Sequence, residues 1–112
     1  MKITTMEVGS VSVIAITGRL DGQHAPEAEQ AFMTLTQDEK KHYVLDFTDM
    51  AYISSAGLRV VLVAAKKVRS LQGRLICSGM SDQVRDVFEM SGFLSILETA
   101  ATRDEAIRMM QA

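Results

Sequence analysis

A chain of 112 residues is expected to form one domain, residues 1–112, because domains run to about 100 to 200 residues each; a two-domain enzyme is excluded. With 47% of residues hydrophobic and 23% charged, it can bury a core and is not a disordered polymer. A formal charge of −2 gives no general attraction to phosphate backbones, and the longest uncharged run, Val8 to Gly18, falls short of the roughly 20 residues that cross a bilayer. These features argue against nucleic-acid binding and membrane insertion, and for a cytoplasmic domain whose partner is a protein.

The chain opens with β-branched segments. Ile3 to Val8 and Val11 to Thr17 flank Gly9-Ser10 and predict a hairpin-like pair, with Gly18 closing the second strand. Pro26 suits the first turn of a helix whose Ala28, Ala31, Phe32 and Leu35 share one stripe. His42 to Phe47 reads as a strand, Thr48 to Ile53 as a loop, and Leu58 to Leu71 as a largely buried helix. Lys66, Lys67 and Arg69 in that helix's last turns complement its dipole, and Gly73 suits the left-handed position after it. Arg74 to Ser78 predicts another strand. Ser81 can cap a helix carrying Val84, Val87 and Phe88, which Gly92 ends. Leu94 to Leu97 reads as the last strand. Thr102 and Glu105 have capping-box spacing ahead of a closing helix with Ala106, Ile107 and Met110 on one face. Strands alternating with about four helices after an initial strand pair imply an α/β fold around a mainly parallel sheet.

The single cysteine, Cys77, excludes a disulfide framework and reads as a small buried apolar group, and His24 and His42 alone do not assemble a metal site. The eight methionines read mainly as core filling. The chemically informative stretch runs from Asp46 to Arg59. It sets Ser54 and Ser55 at the mouth of the most apolar helix, where free N–H groups and the positive end of the dipole tolerate or favour added phosphate, and the small Ala56 and Gly57 leave a hydroxyl open. Either serine could instead be only an N-cap, and both roles can hold, one per serine.

Catalytic readings fit poorly. A nucleophile elbow needs glycines two residues either side of the serine, and around Ser55 those places hold Ile53 and Gly57. His24 and His42 lack an obvious orienting carboxylate. No Gly-Lys-Ser/Thr follows a glycine-rich turn, which excludes a P-loop. Asp46 lies where an aspartyl-phosphate receiver carries its acceptor, but no acidic pair follows the early strand to hold Mg²⁺. Asp46 and Asp49 read as acceptors for loop N–H groups. Asp21 reads as a turn-forming residue or part of a contact surface.

Several segments together resemble the STAS-domain family, specifically the small single-domain anti-sigma factor antagonists. They are Gly18-Arg19-Leu20-Asp21 leading through Ala25-Pro26-Glu27, Asp46-Phe47 through Tyr52-Ile53-Ser54-Ser55-Ala56-Gly57-Leu58-Arg59, Gly73, and Phe88-Glu89-Met90-Ser91-Gly92-Phe93. The resemblance spans essentially the whole chain. It implies a STAS-like mixed sheet covered by helices, no catalytic activity and no cofactor or metal. It also implies that an anti-sigma serine kinase phosphorylates one serine of the loop and a PP2C-type phosphatase removes the phosphate. Only the unmodified form then sequesters the kinase and frees a sigma factor. Many relatives read Asp-Ser-Ser/Thr-Gly where this chain has Ser54-Ser55-Ala56-Gly57. Aligned on Gly57, Ser55 is the expected acceptor and Ser54 the alternative. Asp21, Met50, Ile53, Ser54, Ser55, Ala56, Gly57 and Leu58 are the expected partner-binding residues. The acid missing at Ser54 keeps open a constitutive, unmodified subunit of a larger complex, such as a scaffold, a lipid-transport component or another regulator. Oligomeric state is left open.

Overall fold

The computed structural model describes residues 1–111. β1 (Lys2–Val8) and β2 (Val11–Leu20) form the expected antiparallel pair, with Lys2 opposite Thr17 and Val8 opposite Val11. Next come α1 (Ala25–Leu35), β3 (His42–Asp46), β4 (Met50–Ile53), α2 (Ser55–Ser70), β5 (Arg74–Ser78), α3 (Asp82–Met90), a short 3₁₀ turn (Phe93–Ser95), β6 (Glu98–Ala100) and α4 (Arg103–Gln111). The sheet runs β1-β2-β3-β5-β6, parallel after the first pair, and β4 joins it beside the end of β2.

Strand alternation divides the sheet between two cores. Ile14, Ile16, Tyr43, Leu45 and Cys77 point to the face covered by α1, α2 and α3, where Phe32, Val61, Ala64, Val84 and Phe88 meet them. The Phe47 and Phe88 rings lie 5.9 Å apart at 35°, a tilted contact of the kind worth about 0.5–1.5 kcal/mol beyond burial. Val11, Val13, Val44 and Ile76 point the other way and are covered by Ala106, Ile107 and Met110 of α4. Cys77 is fully buried, and loss of hydration pushes its thiol up to about 12, which makes it unreactive at neutral pH.

Several local expectations are corrected. Gly18 does not close β2. The strand shifts register between Gly18 and Arg19 and runs on to Leu20, and this bulge lets it pair with β4, so Met50 to Ile53 is a strand where a loop was expected. Helix α2 begins at Ser55, three residues before Leu58. The left-handed residue after it is Gln72 (φ 61°), not Gly73. The Gln72 N–H donates to the Arg69 carbonyl and the Gly73 N–H to the Val68 carbonyl, at 2.9 Å each, closing a Schellman motif. Gly73 is needed for space, since a Cβ there would lie 2.5 Å from the Lys41 carbonyl oxygen. The apolar run Leu94 to Leu97 is not a strand. Gly92 (φ 80°) turns the chain into a 3₁₀ turn that packs Phe93, Leu94 and Leu97 on the core, and the strand follows at Glu98. At α4 the Glu105 N–H donates to Thr102 Oγ1, whereas the Glu105 carboxylate accepts from the Ala101 N–H, not from that of Thr102.

Candidate functional site

Two elements converge on the serines. The Ser54 N–H donates to the Leu20 carbonyl at 3.0 Å, tying the start of α2 to the end of β2. Ser54 is extended (φ −96°, ψ 175°) and is the N-cap, its Oγ accepting the Gly57 N–H at 3.2 Å and its carbonyl accepting the Leu58 N–H at 2.8 Å. Its hydroxyl is thereby engaged and half-buried. Ser55 is the first helical residue, exposed, and its hydroxyl makes no hydrogen bond among the described residues. The capping role thus falls to Ser54, and Ser55 is presented to solvent. No acidic residue occupies the first turn of α2, so nothing there competes with an added anion for the helix's positive end. Ser54→Ala is expected to cost about 1 kcal/mol through loss of the cap, read as a lower urea midpoint with an unchanged slope. Ser55→Ala is expected to leave the midpoint within about 0.5 kcal/mol of the parent.

Beside the serines, Arg19 lies opposite Tyr52 in the β2–β4 register, with its guanidinium 4.3 Å from the centre of the Tyr52 ring. Arg19 Nε is 3.6 Å from Asp21 Oδ2. Asp21 Oδ1 lies 2.8 Å from His24 Nδ1 and accepts the His24 backbone N–H at 3.2 Å. Asp21 forms the turn into α1, as one of its two readings expected, and stays partly exposed. The hydrogen bond from the His24 ring is the main reason its carboxyl is held below the ordinary carboxylate range, with smaller help from the His24 N–H and the Arg19 charge.

Four expected contact residues are withdrawn. Met50 is 4% exposed, Ile53 1% and Leu58 3%, and Gly57 is also buried. β4 and α2 turn these residues toward the core, because Met50 and Ile53 are the inward positions of a strand whose Ala51 and Tyr52 face out. The available surface is Asp21, Tyr52, Ser55, Ala56 and Arg59, with Arg19 above Tyr52. Arg19, Tyr52 and Arg59 stood in the motif segments but were not singled out. The periodicity of α2 would have given Arg59, whereas the approach of Arg19 to Tyr52 depends on a strand pairing that local sequence does not encode.

The geometry also bears on the rejected chemistries. His24 does have a carboxylate partner, Asp21, contrary to expectation, but no hydrogen bond joins it to Ser55. The positive-φ strain of a nucleophile elbow is missing too: among the described residues only Lys40 and Gln72 are non-glycine positions with φ above zero. Asp46 Oδ1 accepts the Thr48 N–H at 3.1 Å and its hydroxyl, as expected, and Oδ2 faces Arg103 Nη1 at 3.8 Å. Asp49 instead contributes its carbonyl, which accepts the Gly18 N–H. Among the described residues no three His, Cys, Asp or Glu side chains are grouped to hold a metal ion, and no helix is long and apolar enough to cross a membrane.

A family model for the STAS domain matches residues 2–106. The chain belongs to the STAS domain family. Among STAS relatives, it is 38% identical over 106 residues to BtrV of Bordetella bronchiseptica, assigned as an anti-sigma factor antagonist, covering 95% of this chain and 91% of that one. It is 32% identical over 85 residues to the anti-sigma-B factor antagonist of Listeria monocytogenes, covering 76% of this chain and 75% of the relative. The Bacillus anti-sigma factor antagonist SpoIIAA, solved in its unphosphorylated form, superposes with a TM-score of 0.79 over 98% of this chain and 96% of its own at 24% identity. SpoIIAA has also been solved in a phosphorylated form. The STAS fold expected from sequence, a mixed sheet with an antiparallel N-terminal pair and four helices, is the fold observed.

Proposed function

We propose that this STAS domain is an anti-sigma factor antagonist that docks on its partner through the surface around the mouth of α2 and is switched off by phosphate on Ser55. The observation that carries the reading is the division of labour between the serines, with Ser54 spent on the cap and Ser55 exposed and unengaged on the first helical residue. The partner in this reading is an anti-sigma serine kinase, which the unmodified domain sequesters so that a sigma factor is freed. A PP2C-type phosphatase resets the domain. Ser54 does as N-cap what an aspartate would do, so the helix opening does not depend on the acid that many relatives carry. Phosphate would add about −1.5 to −2 charges at a helix end that accepts them, so the fold persists while the docking surface changes sign locally. The site contributes binding groups and no acid–base pair aimed at Ser55, in keeping with a regulator that is acted upon.

The test is a pull-down from lysate of the native host with the tagged domain as bait, followed by intact-mass measurement and site mapping of the bait. The expected result is capture of a serine kinase by bait of unmodified mass, together with a fraction 80 Da heavier (the mass of one phosphoryl group, about HPO₃) whose phosphate maps to Ser55. Bait wholly without phosphate, bound to a complex that contains no kinase, would replace this reading with that of a constitutive subunit.

A further inference from the structure

We propose that Arg59 receives the phosphate on Ser55, so that modification closes an ion pair along α2 and withdraws this cation from the docking surface. The inference rests on the reading of Ser55 as the acceptor. Ser55 and Arg59 stand four residues apart in α2 and both are exposed. Side chains at that spacing lie on one face with Cβ atoms about 5–6 Å apart, and the anion N-terminal to the cation is the favourable order. A guanidinium presents several donors in a fork that matches phosphate oxygens.

The other cations near the site are committed or distant. Helix α2 carries Arg59, Lys66, Lys67 and Arg69 and no acid. Lys67 Nζ donates to the Met33 carbonyl at 2.6 Å and Arg69 Nη2 to that of Ile96 at 3.5 Å. Lys66 lies almost two turns beyond Arg59, roughly 10 Å farther along the axis. Arg19 is engaged by Asp21 and Tyr52. Among the described residues Arg59 makes neither an ion pair nor a side-chain hydrogen bond. It lines a shallow cleft between α1 and α2 of about 210 Å³ with Ala25, Pro26, Glu29 and Ala56. Glu29 of α1 is the acid lining the same cleft, with no ion pair to Arg59, while Asp21 and His24 are paired with each other.

Before modification the Arg59 charge is therefore available to an acidic group of the partner. After it, the same side chain is turned toward its own helix, and the surface gains negative charge while losing its free cation. Phosphorylation would then act on binding twice, by adding an anion and by removing a contact.

The test uses the full chain with phosphoserine installed at position 55 during translation, so that it needs no kinase. Phosphorus NMR titration then reads the second ionisation of the phosphate, which for an unpaired phosphoserine lies near pH 6, about the value quoted for such groups. The parent is expected to titrate roughly half a unit lower than Arg59→Gln, with Arg59→Lys recovering most of the difference and Arg19→Gln leaving it in place. All three variants alter exposed side chains, so folding is retained. Identical titrations of the parent and Arg59→Gln, or a shift produced by Arg19→Gln in place of Arg59→Gln, would overturn the assignment. That outcome would leave the acceptor reading of Ser55 to be judged by the mass of the native bait.

Discussion

Gly57→Ala is expected to destabilise the domain by about 3 kcal/mol, although alanine is the better helix former by about 1 kcal/mol in an open helical position. The reason is the crossing of α2 over the end of β2. A Cβ at Gly57 would lie 2.3 Å from the Leu20 carbonyl oxygen, 2.8 Å from Leu20 Cγ and 3.1 Å from Ile53 Cγ1. The nearest of these is backbone and already accepts the Ser54 N–H, so it cannot yield as a flexible side chain would. Relief requires α2 to move off β2, which breaks the bond that holds the serines in place. A loss of that size is a large share of a total stability of about 5–15 kcal/mol. Urea unfolding monitored by far-ultraviolet circular dichroism checks it: the midpoint should fall well below that of the parent. A midpoint at or above the parent's would show that the close approach of α2 and β2 is not as described.

The same crossing explains what could and could not be read from residue order. The elements with strong local periodicity were legible: the first strand pair, the stripe from Ala28 to Leu35, the run from Leu58 and the strand from Arg74 to Ser78 each carry their own signal. β4 was not, because four residues behind a turn become a strand only when the bulge after Gly18 brings the end of β2 alongside them. The burial of Met50, Ile53 and Leu58 follows from that pairing, so these residues looked as suitable for a contact rim as for a core. The run from Leu94 to Leu97 has strand-like composition, yet Gly92 directs it into a turn that fills the gap beside α3. At the site, the pair of serines was legible and their separate roles were not. Either hydroxyl can cap a helix, and the choice is made by the hydrogen bond from Ser54 to Leu20, a contact between residues 34 positions apart. The Asp21–His24 pair is local, but a turn motif at that spacing does not announce that it stands beside the mouth of another helix.

The central claim is that charge at Ser55 controls docking without altering the fold. If Ser55 sits within a packed interface, an anion there is desolvated against the partner, at a cost of about 2–5 kcal/mol or roughly two to four decades in affinity. A carboxylate is a smaller charge than phosphate, so Ser55→Asp is expected to weaken binding by at least about tenfold, while Ser55→Ala binds as the parent does. Both variants should unfold at the parent's midpoint, because position 55 is exposed and the cap belongs to Ser54. The most direct measurement is calorimetric titration of the captured kinase with the parent, Ser55→Ala and Ser55→Asp. Parent-like affinity for Ser55→Ala with a tenfold or greater loss for Ser55→Asp is the predicted result, and equal affinities for the two variants would contradict it.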